Sequence, residues 1–292
     1  MVFDLTDYKL LSFDIYATLI DWETGIYDAL MPLVDQLPPD SQYRGKSPED
    51  TRKLVLRAFS SQERALQSEQ PKLPYNELLT ETYKRLAQQL GVQATDAEAQ
   101  KFGASVGTYP AFPDTVAAMK VLGSYYKLVV LSNVDNENFS RTLSGPLNGV
   151  KFDGIYTAEN IGSYKPDLNN FRYLIENVDK QFGVKKEEIL HTAQSLTHDH
   201  VPGKEIGLRP GVWISRGGGE GKGSAMGGSL EVLEKEGKVD LGAVYETLGD
   251  MAEAVERAFA ARKWVRFYFI HFLFSSSTER AQELNLKISW KR

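Results

Sequence analysis

Short apolar runs bounded by polar or turn-forming residues recur along the chain, and their length and spacing separate strands from helices. YKLLSFDI at 8–15 is the first such run, and it reads as a buried strand with Asp14 at its C-terminal end. From 22 to 110 the spacing turns helical, most clearly in TRKLVLRAFSSQERALQSEQ and YNELLTETYKRLAQQLG, with Gly91 as a stop signal. After Pro110 the two patterns alternate. A helix is expected at 114–124, a strand at KLVVLSN, a helix at 136–143 and a strand near GIYTAEN, then a helix at 167–182 and strands at EEILHTAQ and GVWISR. Strands alternating with helices imply a parallel sheet of βαβ units. The fold class is therefore α/β, a doubly wound core formed by 1–21 and 111–261 and interrupted after its first strand by the helical insert 22–110.

Composition narrows the function classes. The 292 residues are 42% hydrophobic and 25% charged, enough apolar material for a sizeable core. With 39 acidic against 34 basic side chains the net charge is −5, so no global positive field would recruit nucleic acid. Cysteine is absent, which excludes disulfides, thiolate metal sites and a cysteine nucleophile, and fits a reducing, cytoplasmic setting. The opening MVFDLTDYKLLSFD is acidic where a secretory leader would be basic, and the most apolar stretch, Trp264 to Phe274, is too short to span a bilayer and holds Arg266 and His271.

Two segments stand outside the α/β pattern. GGGEGKGSAMGGS at 217–229 invites a phosphate-loop reading, but Arg216 stands where the loop needs a Gly before Lys222, and Gly223 where it needs Ser or Thr. It reads as part of a Gly-rich flexible region, 217–238. From Arg262 to the end, seven Lys or Arg face two Glu around the aromatic run WVRFYFIHFLF. This extension, 262–292, is open to three roles: an added packing element, pairing in a homodimer, or contact with a membrane surface.

In a parallel α/β sheet, ligands bind outside the C-terminal ends of the strands. Polar residues gather at four such places: Asp14 with Tyr16 and Thr18, then Ser132 and Asn133, then Lys165, then Gln194 and Ser195 on to Asp199. Two carboxylates, an ammonium and small hydrogen-bonding groups make a coherent set for nucleophilic displacement. Each also has a bland reading: Asp14 and Thr18 in a turn, Ser132 and Asn133 capping a helix, Lys165 on the surface. His198 and His200 flank Asp199 but lack a defined zinc spacing.

In their order and positions these residues resemble the motifs of the haloacid dehalogenase-like (HAD) superfamily, and FDIYATLIDW resembles the first motif of its 2-haloacid dehalogenase branch. LSNVDNENF is similar to the second motif, SYKPD to the lysine-bearing third and HTAQSLTHD to the fourth. The resemblance covers about 8–216. It implies a Rossmann-like core with 22–110 as a helical cap. It further implies Asp14 as a nucleophile forming a covalent aspartyl ester, Lys165 as its cationic partner and Asp199 as the acid that positions or deprotonates the opening water. Tyr16, Thr18, Ser132, Asn133, Gln194 and Ser195 would then contact a small anionic organic acid. Three positions depart from the branch: Gln194 and Leu196 replace a usual Ser and Asn, and Phe171 a usual Tyr. Arg57 and Arg64 are candidates for the arginine the branch carries in its insert, and Phe59, Tyr75 and Tyr83 for a pocket lining, with packing inside the cap as their simpler role. Trp22 lies at the hinge.

Position 16 decides between reaction types. Superfamily phosphatases usually place a second Asp two residues after the nucleophile, because an alkoxide needs a proton as it leaves. Here it is Tyr16, with a reference pKa of about 10, whereas halides other than fluoride leave unprotonated. The reading is a metal-free hydrolase of carbon–halogen bonds. Its rivals are a Mg²⁺-dependent phosphatase, with the ion on Asp14, the backbone carbonyl of Tyr16 and Asp199, and a non-catalytic binding protein on the same fold.

Overall fold

A computed structural model describes residues 3–217 and 228–274, with side chains described as far as Trp264. Strand β1 (Leu10–Phe13) is wholly buried, and after it the chain enters four helices: α1 (Trp22–Val34), α2 (Pro48–Glu69), α3 (Tyr75–Leu90) and α4 (Asp96–Gly103). Their ends follow local chemistry. Ser47 caps α2 with Pro48 in its first turn, Gly91 closes α3 in the left-handed conformation (φ 71°), and Thr95 with Glu98 forms a capping box on α4. Phe59, Tyr83 and Phe102 pack together at the centre of this insert, with ring centroids 5.8 and 4.9 Å apart.

The chain then alternates as expected: α5 (Thr115–Leu122), β2 (Lys127–Ser132), α6 (Asn136–Ser144), β3 (Gly154–Thr157), α7 (Ala158–Ile161), α8 (Leu168–Phe182), β4 (Ile189–Ala193), α9 (Val201–Glu205) and β5 (Gly211–Ile214). Three further elements follow: α10 (Leu230–Lys235), β6 (Leu241–Tyr245) and α11 (Leu248–Phe274). All six strands are parallel, in the order β3-β2-β1-β4-β5-β6. This is a doubly wound sheet whose direction of growth reverses at β1, so the crevice at the C-terminal ends of β1 and β4 is the place for a site. Asp14, one residue past β1, lies there.

The C-terminal third corrects the expected pattern. The region 217–238 contains α10, capped by Ser229, and a sixth strand follows it; LGAVY is short, contains a glycine and lies at the sheet edge, so its apolar signal is weak. The rest of the Gly-rich stretch, 218–227, lies outside the described residues. The extension from Arg262 begins inside a helix, because α11 runs through that position without a break. Leu248, Met251 and Val255 bury one face of α11, and Phe259 packs on Tyr125 and Tyr126 at 4.7 and 5.6 Å. Among the described residues no helix is long and apolar enough to cross a membrane.

The two chain crossings into the insert run side by side. Ile20 bridges Ala111, Asp21 N–H donates to the Pro110 carbonyl at 2.8 Å, and Phe112 N–H to the Leu19 carbonyl at 3.1 Å. Arg216 locks this seam. Its Nε and one terminal nitrogen donate to the Thr18 carbonyl at 2.9 and 2.7 Å, the other pairs with Asp114 at 2.7 Å, and the guanidinium lies 4.0 Å over the Phe112 ring. Arg216→Ala leaves a partly buried carboxylate and a backbone carbonyl without their donors, so urea unfolding should show a loss of about 3 kcal/mol; a change within error would remove Arg216 from this role.

Candidate active site

Lys165 organises the site. It is buried, 1% exposed, and its Nζ donates to Asp14 Oδ1 at 2.8 Å, to Asp199 Oδ1 at 2.7 Å and to the Leu131 carbonyl at 2.9 Å. All three of its donors are therefore used. Burial penalises the ammonium, but the two carboxylates outweigh that cost and raise its pKa above the ordinary lysine value. Asn133 holds the lysine from behind: its Oδ1 accepts from Lys165 N–H at 2.6 Å and its Nδ2 donates to the Lys165 carbonyl at 2.9 Å. Asn133 is thus engaged as a brace at the edge of the cavity. The helix-cap role open to Ser132 and Asn133 falls instead to Asp135, which accepts from Asn138 N–H at 2.8 Å to begin α6.

Asp14 sits at the mouth of the switch-point crevice, 8% exposed. Its Oδ2 accepts from the Thr18 hydroxyl at 2.6 Å, and that hydroxyl oxygen accepts in turn from Gln194 N–H at 2.9 Å. Thr18 therefore orients the carboxylate, and its proton is committed to Asp14. Burial, with the charge of Asp199 nearby, raises the Asp14 pKa above the usual carboxylate value, and Lys165 and Thr18 oppose that rise. The turn that follows carries Ala17 in the left-handed region (φ 73°), and Tyr16 makes a 2.7 Å hydrogen bond to Thr142. Burial pushes the Tyr16 phenol above its ordinary value, so it is a weaker acid than free tyrosine.

Asp199 follows β4 in a single π-helical turn, Leu196–His200, whose first residues are capped by the Ser195 hydroxyl. Burial alone would raise its pKa, but Lys165 and His191 hold it well below the ordinary carboxylate range. His191 lies on β4 and meets Asp199 Oδ1 through Nε2 at 2.9 Å, while its Nδ1 lies 2.8 Å from the Ser12 hydroxyl of β1. An ionised carboxylate only accepts, so Nε2 carries the proton. The Phe171 ring meets the imidazole edge-on, with centroids 5.4 Å apart. Oδ2 of Asp199 and the hydroxyl of Ser132 are buried with no hydrogen-bond partner among the described residues.

A cavity of about 100 Å³ opens over these groups. Asp14, Ser132, Lys165 and Gln194 line its floor, and Glu63, Arg64, Gln67 and Tyr75 from the insert line its roof. Tyr16, Asn133, Ser195 and Asp199 also border it, so every expected site residue except Thr18 lines the cavity, and Thr18 touches Asp14 from beneath. Arg64 and Tyr75 reach it, Trp22 borders it, and Arg57, Phe59 and Tyr83 do not. His198 lies at its edge, while His200 turns inward to the Ala193 carbonyl at 3.1 Å; among the described residues no cluster of metal-binding side chains forms.

His191, Ser12, Arg216 and Glu63 were not singled out from the sequence. The signal for three of them was a polar residue at a position the pattern assigns to a buried face: Ser12 within LLSF, His191 within ILHTA, and Glu63 on the stripe Val55, Phe59, Glu63, Leu66.

No family model matches the chain. Solved structures do share its fold. The L-2-haloacid dehalogenase from Xanthobacter autotrophicus superposes with a TM-score of 0.64 at 15% identity, covering 85% of this chain and 98% of that one. A defluorinating L-2-haloacid dehalogenase gives 0.63 at 14% identity, over 85% and 95% of the two chains. YfnB from Bacillus subtilis, described as a HAD-hydrolase and bound to magnesium, gives 0.59 at 17%, over 85% and 99%. At these identities the likeness is one of fold: the chain has the haloacid dehalogenase-like fold, a Rossmann-like core with an inserted helical cap.

The Ser12–His191–Asp199 line gives a graded test. In urea unfolding at neutral pH, His191→Phe should cost about 2 kcal/mol, because it strips a donor from a buried carboxylate, and Ser12→Ala about 1 kcal/mol. Equal effects, or none, would show that the line does not hold Asp199.

Proposed function

We propose that the protein is a hydrolase that displaces halide from a 2-haloacid through a covalent ester on Asp14. The observation that carries this reading is the ammonium of Lys165, hydrogen-bonded to both Asp14 and Asp199 in a site where Tyr16 replaces the leaving-group acid. An Asp14 carboxylate oxygen forms a bond to the carbon bearing the halogen, and the carbon–halogen bond breaks with its electron pair on the departing halide. Water then adds to the ester carbonyl and gives up a proton, restoring Asp14 and releasing the 2-hydroxy acid. Asp199 Oδ2, without a donor among the described residues, is the acceptor suited to hold that water, and Ser132, whose hydroxyl has no partner among them, is suited to the substrate carboxylate.

The donor set fits Mg²⁺ poorly. An octahedral ion bridging Asp14 and Asp199 needs their facing oxygens, and both Oδ1 atoms already accept from Lys165. Oδ2 of Asp14 accepts from Thr18, which leaves Oδ2 of Asp199 as the one oxygen of the two carboxylates with no donor among the described residues. A phosphoryl dianion facing Asp14 would need that ion to offset charge repulsion, whereas the monoanion of a haloacid leaves less repulsion to offset and can be met by the Ser132 hydroxyl and the positive charge of Arg64 at the roof.

Incubation with 2-chloropropionate, 2-bromoacids, fluoroacetate and a panel of phosphate esters, with and without EDTA, tests the reading. EDTA-insensitive halide release supports it; phosphate release that requires Mg²⁺, with no halide, rejects it, as does a failure to turn over either panel. Asp14→Asn should lower kcat by at least about a thousandfold, the scale of losing a nucleophile, and should abolish the ester adduct seen by mass spectrometry in the native protein. Since Asp14 must be ionised to attack and its pKa is raised, kcat/KM should fall with decreasing pH along a limb lying above the usual carboxylate value of 3.8.

A further inference from the structure

One buried carboxyl in the cavity has no part in that chemistry. Glu63 projects from the apolar face of α2, 6% exposed, and lines the roof opposite Asp14. Its Oε1 accepts from the Tyr75 hydroxyl at 2.7 Å. Among the described residues no Lys, Arg or His forms an ion pair with it; Arg64, next to it on the helix, acts only at longer range. The other titratable groups around it are Tyr75 and Tyr109 from the insert and Tyr164 from the core, all phenols whose pKa values are raised and which therefore stay neutral. Across the cavity lie Asp14, Lys165, Asp199 and His198.

We propose that Glu63 is a specificity-determining residue that selects substrates carrying an ammonium group on the end remote from the reacting carbon. A carboxylate taken out of water is stable only with a counterion or several donors. Tyr75 supplies one donor and the described residues supply no paired counterion, so a desolvated ammonium on the ligand would complete the site with a charge-assisted hydrogen bond. With Glu63 ionised the cavity lining carries three carboxylates, of Asp14, Asp199 and Glu63, against the two cations Lys165 and Arg64, which adds to the preference for a cationic group over a second anion. Burial pushes the Glu63 carboxyl up to about 7, so the charge that would meet the ammonium appears near neutrality.

The inference rests on the cavity being the substrate site, and its test uses unreactive probes so that it does not depend on dehalogenation. Binding of 3-aminopropionate and of butanoate, which places a methyl where the other has an ammonium, is measured by calorimetry on the full chain at pH 6 and pH 8. The ionised fraction of a carboxyl titrating near 7 rises about tenfold over that interval. The native protein should therefore bind 3-aminopropionate about tenfold more tightly at pH 8, with no such gain for butanoate. Glu63→Gln keeps the size and the Tyr75 contact, and it should bind 3-aminopropionate more weakly and without the pH effect. Equal affinity for the two probes at pH 8, or a pH effect that survives in Glu63→Gln, would overturn the proposal. Tighter butanoate binding at pH 6 alone would overturn it too, in favour of a neutral Glu63 donating to the probe's carboxylate. If the binding results hold and no halide is released from any 2-haloacid, the reaction assignment fails and the selectivity stands.

Discussion

The molecule is organised around one ammonium ion removed from water. Lys165 Nζ has the carboxylates of Asp14 and Asp199 and the backbone of Leu131 as its three acceptors, and burying such a charge is tolerable only because every donor is used. That requirement reaches outward. The lysine backbone is braced by Asn133 at the end of β2, Asp199 is fixed by His191 within β4, and His191 meets Ser12 on β1. Three adjacent strands of the sheet are therefore tied to a single charge. Removing any tie leaves a polar atom without its partner in a medium where such atoms are costly.

The same sheet explains why the groups meet. With β1 between β2 and β4, the chain reverses its direction of winding at the one point where loops diverge to both sides. Asp14 comes from the loop after β1, Ser132 and Asn133 from the end of β2 and the residue beyond it, Asp199 from the turn after β4, and Lys165 arrives after β3. Residues more than a hundred positions apart in sequence converge with no strand contributing more than a few atoms. The insert then adds what the core lacks: a roof, and with Glu63 a second polar end facing the first.

Much of this was legible in the amino-acid sequence. Periodicity separated the helical insert from the α/β core, and the positions of Asp14, Ser132, Lys165 and Asp199 after successive strands placed them at one sheet edge before any contact was known. What the sequence did not reveal was either too short to show a period or dependent on a partner far away in the chain. β6 is an edge strand whose pattern is diluted by Gly242, and α10 is too short for its period to register. His191 and Ser12 matter through a partner on another strand, and pairing across a sheet depends on register, which one sequence does not carry. Arg216 looked like the end of a strand; its function depends on reaching Thr18 and Asp114, far away in the chain.

Tyr164 gives the arrangement a mechanical side. Its backbone adjoins Lys165, its hydroxyl donates to the Leu73 carbonyl at the start of the turn into α3, and its ring lies 6.4 Å from that of Tyr75. The residue next to the central charge is thus also a strut to the cap. It shares that work with α6, where Asn138 donates to the Gly103 carbonyl at 3.3 Å and Arg141 to the Ala104 carbonyl at 3.0 Å, so the insert is fastened to the core on two sides of the cavity. Of these fastenings, only the one through Tyr164 is made by the neighbour in sequence of the buried ammonium, so roof and floor share a stretch of backbone.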